Sequence, residues 1–314
     1  RQHINRLSSM LTQGSKDLTK TIDIFCVRRK FRRGSAEAMV EIVFLGTGGG
    51  RFAMITQRAK TGGIRILSEK VNMHIDPGPG ALIYSLELGL NPQKINAILI
   101  SHSHLDHTND AGLLIEAMTR GGRVKRGILA AAHSVIEGNE VCDRAISKYH
   151  RQLPEKVIDA QVGVKFKVGD FNIEVGKAVH ADPDTVGFRF ETQDAGAFGY
   201  LPDSEYFEGI SDFYKGVRLL ILSVLRPSGQ PWKGHMTTDE AARIADEVKP
   251  ETLVITHFGM LMLMKSPSRQ AKIIEEKTSI PTIAAKYGMH IAMEEKIQTT
   301  EPKKQTDLSL FMGG

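Results

Sequence analysis

Three histidines and an aspartate crowd into Ser101-His102-Ser103-His104-Leu105-Asp106-His107, in a chain of 314 residues with only 11 histidines. Imidazole and carboxylate at this density point to metal ligation. In an extended segment His102 and His104 project to the same side and can share one cation. Asp106 and His107 follow once the chain turns, and can face a second cation. Four side chains do not complete two coordination shells, so more ligands are required. His180 in Val179-His180-Ala181-Asp182-Pro183, Asp203 in Tyr200-Leu201-Pro202-Asp203-Ser204 and His257 in Ile255-Thr256-His257-Phe258-Gly259 each follow a strand-like run. Ligands without thiolate suit zinc, and also manganese or iron. Two divalent cations about 3.5–4 Å apart would activate water and clamp the oxygens of a displacement.

Elements must hold these residues in place. Ala97-Ile-Leu-Ile100 is wholly apolar and reads as a strand buried on both faces, ending at the histidine loop. Strands are expected at 40–45, 63–68, 71–76, 97–101, 127–131, 164–168, 171–177, 186–192, 197–201, 219–223 and 252–256, with short ones at 282–285 and 290–293. Helices are expected at 80–88, 109–119, 134–148, 239–248 and 268–277. Two β-rich stretches, each followed by helices, imply an α/β chain with two sheets face to face and helices outside.

Composition bounds the rest. The chain is 41% hydrophobic and 25% charged, as in ordinary globular proteins. No apolar run approaches the ~18–20 residues of a membrane span. The two cysteines, Cys26 and Cys142, form no paired motif, so a reducing cytoplasm is the expected location. The net charge of +5 is uneven: residues 1–34 carry nine Lys/Arg against Asp17 and Asp23, which leaves the remainder slightly acidic. Residues 1–38 therefore read as a basic extension, 39–293 as the body and 294–314 as a polar tail without stable structure.

The motif set resembles the metallo-β-lactamase superfamily of hydrolases. Ser-His-Ser-His-Leu-Asp-His matches its metal loop, and His180, Asp203 and His257 supply the later His, Asp and His in the expected order. The resemblance covers about 39–293 and implies a four-layer αβ/βα sandwich. It implies that His102, His104 and His180 hold one metal, that Asp106, His107 and His257 hold the other, and that Asp203 lies between them. Asp76 in His74-Ile75-Asp76-Pro77-Gly78 looks like the family's early Asp, which supports the metal loop from behind.

Gly234-His235-Met236-Thr237-Thr238 resembles a segment of the ribonuclease Z and phosphodiesterase branch, where the His assists departure of the phosphodiester oxygen. Thr237 or Thr238 also reads as the N-cap of a helix. Asp106 and His235 are the candidate catalytic side chains. Phe44-Leu45-Gly46-Thr47-Gly48 resembles the opening of ribonuclease Z, with a backbone nest for phosphate or a tight turn as equal readings. The long Gly/Pro-rich arm of the common ribonuclease Z is missing; only Arg120 to Arg126 offers a short basic run. Two-metal phosphodiester hydrolysis, by a nuclease or a cyclic-phosphodiester hydrolase and with RNA or DNA among the candidate substrates, is the leading expectation. A thioesterase or lactonase on the same metals is one alternative, and a non-catalytic nucleic-acid or clamp-binding module is the other. Trp232, the only tryptophan, is expected to anchor its surface loop, with stacking on a base as the rival role. Gln305, Leu308 and Phe311 resemble the short motif by which replication proteins dock on the sliding clamp, although Met312 stands where a second aromatic is usual. Homodimers are common in the family.

Overall fold

The computed structural model describes residues 40–301. The expectations for the basic extension and for the tail residues Gln305, Leu308 and Phe311 lie outside these.

Fifteen strands are found among the described residues: β1 Val40–Gly46, β2 Thr61–Leu67, β3 Asn72–Ile75, β4 Ala97–Ile100, β5 Ile128–Ala131, β6 Lys156–Asp159, β7 Lys165–Val168, β8 Phe171–Lys177, β9 Val186–Thr192, β10 Gly196–Leu201, β11 Leu219–Ser223, β12 Thr252–Thr256, β13 Thr282–Ala284, β14 His290–Met293 and β15 Ile297–Thr300. They form two mixed sheets, in the orders β15-β14-β1-β2-β3-β4-β5-β6 and β13-β12-β11-β10-β9-β8-β7. β3 through β6 are parallel, as are β10 through β13.

Period-two alternation sets the layers. On β11, Leu219 and Ile221 face the core between the sheets, alongside Phe44, Phe188 and Phe198. Leu220 and Leu222 point the other way, under helix Thr238–Val248 and its buried Ala241, Ile244 and Val248. Fully buried central strands need apolar residues on both faces, and β4, β11 and β12 have them. The architecture is the expected four-layer α/β sandwich.

Two local expectations fail, and one open alternative is decided. The helix expected at 134–148 is instead two short ones, His133–Ile136 and Lys148–Gln152. Gly138 at φ +81 turns the chain, and the Asn139 side chain accepts from the Val141 and Cys142 amides, a local alternative to helical bonding. β15 falls inside the segment read as an unstructured tail. It pairs antiparallel with β14, and the Arg218 guanidinium holds the carbonyls of Glu294 and Glu295 at the intervening turn. The glycine loop after β1 offers no free nest. The Thr47 and Gly48 amides donate to the Lys60 carbonyl, Gly49 donates to the Phe258 carbonyl, and Gly50 donates to Asp106 Oδ2 at 2.8 Å. Internal acceptors consume the donors that a phosphate would need, so the tight-turn reading stands.

Candidate metal centre

The fold brings the seven proposed ligands to one end, beyond the carboxyl ends of strands from both sheets. β4 runs into His102 and His104, and the short helix Leu105–Thr108 carries Asp106 and His107. From the second sheet come His180 after β8, Asp203 after β10 and His257 after β12. They form two groups: His102, His104, His180 and Asp203, and Asp106, His107 and His257. Within each group one ligand atom per residue lies within 4.8 Å of all the others.

Hydrogen bonds at the outer side of the rings decide which nitrogens face inward. His107 Nδ1 lies 2.9 Å from Asp76 Oδ2, His180 Nδ1 lies 2.6 Å from the Gly234 carbonyl, and Ser101 Oγ occupies His102 Nδ1 at 3.0 Å. An Nδ1–H donated outward leaves the Nε2 lone pair of His107 and of His180 directed into the centre. There His104 Nδ1 meets both His102 Nε2 and His180 Nε2 at 3.1 Å, and His107 Nε2 meets His257 Nε2 at 3.1 Å. Single protons do not satisfy so many converging acceptors. His257 Nδ1 and Asp203 Oδ1 stand 2.9 Å apart as an ion pair, off the line a hydrogen bond needs, so both buried atoms lack a hydrogen-bond partner. Convergent lone pairs and orphaned buried acceptors fit divalent cations.

Electrostatics favour neutral imidazole at His102 and His104 and ionised carboxylate at Asp203, while His257 holds a proton whose positive charge a bound cation would replace. Burial, then the neighbouring imidazoles, hold His102 and His104 below the usual histidine range. Burial acts against Asp203, but His257 outweighs it and keeps the carboxyl well below its ordinary range. Burial likewise opposes the charge on His257, yet Asp203 and Asp106 push it up to about 10.

Asp76 lies behind the loop that carries His102 to His107. Its carboxylate accepts from the Ser101 amide, Ser101 Oγ, His107 Nδ1 and Tyr200 Oη, all within 2.9 Å. Two supports escape sequence reasoning. Tyr200 is one, buried and 124 residues from Asp76. Asp182 is the other: its carboxylate accepts from the Ser103 amide and hydroxyl, Ser134 Oγ and Asn139 Nδ2, tying the metal loop to the loop of His180. The only sequence signal for Asp182 is its place two residues after His180.

His235 belongs to neither ligand group. Its ring centroid lies 4.7 Å from that of His180, and its Nδ1 lies 3.7 Å from Asp203 Oδ2 with no hydrogen-bond partner. Burial lowers it to about 4, against the pull of Asp203. The helix-cap reading of the same segment also holds, since Thr237 and Glu240 form a reciprocal capping box. Trp232 departs from its expected anchoring role, because it is 60% exposed.

Residues 71–258 match the model of the Beta-lactamase superfamily domain. The uncharacterized protein MJ1374 of Methanocaldococcus jannaschii is 38% identical over 81% of this chain and 95% of its own. A ribonuclease Z of Methanopyrus kandleri is 30% identical over 48% of this chain and 49% of its own. Among solved structures, the metallo-beta-lactamase fold protein YhfI of Bacillus subtilis superposes with a TM-score of 0.67 at 23% identity, covering 84% of this chain and all of YhfI. Human tRNase Z, short form, gives 0.59 at 18%, covering 81% and 99%. These two likenesses carry the fold, and the family match together with the long alignment to MJ1374 carries the rest: this chain belongs to the beta-lactamase superfamily.

Proposed function

We propose that this chain is a metal-dependent phosphodiesterase, acting on phosphodiester bonds of the kind found in RNA or DNA. The observation that carries the reading is His235, a histidine that abuts the seven-residue centre without joining either ligand group. Two divalent cations, zinc foremost, would be held by His102, His104 and His180 and by Asp106, His107 and His257, with Asp203 between them. When bound, such cations supply Lewis acidity toward water and phosphoryl oxygens.

The remaining chemistry falls to the chain itself. Cleaving a phosphodiester expels an alkoxide, so a donor must stand beside the leaving oxygen. A histidine lowered to about 4 is neutral near pH 7, and a neutral imidazole still carries one N–H to donate. The Gly234 carbonyl, held by His180, fixes the backbone next to that ring. Hydrolysis of a thioester, whose weakly basic thiolate leaves unaided, places no comparable demand on His235. Similarity to the ribonuclease Z of Methanopyrus kandleri supports the same branch.

The test is His235→Ala in metal-loaded protein. Turnover of the dinucleotide UpU, whose leaving oxygen is an alkoxide, should fall roughly 10²–10³-fold, the usual effect of losing one aimed donor, with two metals per chain retained by elemental analysis. Undiminished phosphodiester turnover, or a preference for thioesters that ignores the substitution, would refute the proposal.

A further inference from the structure

The loop from Arg226 to His235 ends in a four-residue turn. The His235 amide donates to the Trp232 carbonyl at 3.1 Å, and Gly234 sits at φ +76, the left-handed position that such a turn gives to glycine. Trp232 and His235 form an isolated antiparallel bridge, and residues opposed in this way project to the same face. The ring of His235 reaches the metal centre from that face, so the indole of Trp232 is rooted beside it.

Single exposed apolar residues are ordinary. This one differs in how firmly it is held. The Arg226 guanidinium lies 5.4 Å from the indole centroid, and Arg226 Nε donates to the Gln230 carbonyl. The Gly234 amide donates to Glu205 Oε2 at 2.8 Å, while the carbonyl of the same residue receives His180 Nδ1. Asp239 accepts from Ser228 Oγ and from the Gly229 amide. A pinned loop presents a large flat ring at little cost in ordering upon binding.

We propose that Trp232, backed by Arg226, is the stacking platform for a nucleobase whose phosphate lies at the metal centre. The proposal rests on the phosphodiesterase reading and names its substrate class: a nucleoside phosphodiester, bound by its base as well as its phosphate. Any base has a face to stack, so the platform gives affinity with little sequence preference.

Trp232 is the only tryptophan, so fluorescence excited beyond the tyrosine absorption band reports on this ring alone. Metal-loaded full chain is titrated with uridine 5′-monophosphate and, as a base-free control, ribose 5-phosphate. Quenching by the nucleotide beyond that by the sugar phosphate is expected. In parallel, Trp232→Ala should lower kcat/KM about tenfold or more on the dinucleotides UpU or dUpdU, with metal content unchanged, and Trp232→Phe should restore most of it. The arm that responds tells ribonucleotide from deoxyribonucleotide. Equal fluorescence responses to the two ligands, together with wild-type dinucleotide turnover by Trp232→Ala, would overturn the platform and leave the hydrolase reading intact. Nucleotide-selective quenching without cleavage of any dinucleotide would support the platform while removing the phosphodiesterase.

Discussion

A ligand's orientation depends on atoms that never touch the metal. Asp76 gathers four donors on two oxygens, from a backbone held at φ +51, and one of them is His107 Nδ1. Only a carboxylate offers acceptors on both oxygens. In Asp76→Asn one position becomes a donor and confronts either the Ser101 amide or the group shared by His107 and Tyr200. The imidazole then loses its fixed tautomer, and metal affinity should fall about 10–100-fold, the usual cost at such supports. Competition with a coloured chelator measures this. The comparison with His235→Ala is informative, since that variant should keep its metal and lose its chemistry. Wild-type affinity in Asp76→Asn would show that the contact to His107 does not position the ligand. The candidate ligands themselves were legible because four of them share one short segment. Asp182 was not, because its donors Ser103, Ser134 and Asn139 lie 79, 48 and 43 residues away and are brought to it only by the fold.

Elements position the centre through close backbone approach, and the glycine loop after β1 is the clearest case. A Cβ built on Gly49 would stand 2.1 Å from His257 Nδ1, and one on Gly78 would stand 2.0 Å from the Asp106 carbonyl oxygen. Gly49→Ala must therefore displace the His257 ring or the loop, while leaving the sheets untouched. Turnover should fall about 10²-fold, as for a catalytic group moved by about 1 Å, with one metal per chain lost by elemental analysis and an unchanged far-UV spectrum. Full occupancy and normal rates in this variant would mean that the loop yields freely and does not set the ligand's place. The sequence pattern located the long strands well, because buried runs such as Ala97–Ile100 and Leu219–Ser223 carry their own signal. It failed where tertiary context decided. The loop that splits the helix expected at 134–148 depends on the Asn139 side chain as well as Gly138. β15 is polar on its surface and exists because β14 offers an edge. The glycine motif left a phosphate nest and a tight turn as equal readings, and only hydrogen-bond accounting, with its amides already engaged, decided for the turn.

At the scale of the fold, the described residues form two mixed sheets sharing one apolar core, with the candidate ligands divided between them. The first sheet's loop supplies His102, His104, Asp106 and His107, and three loops of the second supply His180, Asp203 and His257. Cations bound there would cross-link the loop ends of both sheets at a place where the bare chain faces its own lone pairs and buried carboxylates toward one another. Their effect on stability follows from mass action. A ligand present at 1,000 times its dissociation constant, and bound only by the folded state, stabilises by about 4 kcal/mol. For domains of this size about 1 kcal/mol moves Tm by roughly 2–4 °C. Chelation should therefore lower Tm by roughly 8–16 °C in differential scanning calorimetry, and excess zinc should restore it. The core between the sheets, from Ile42 and Phe44 to Phe198 and Ile221, contains no ligand side chain, so the stripped protein should keep its far-UV spectrum well below the new transition. Identical melting with and without chelator, in material shown to be metal-free, would mean that no cation bridges the two sheets and would remove the basis for the catalytic reading.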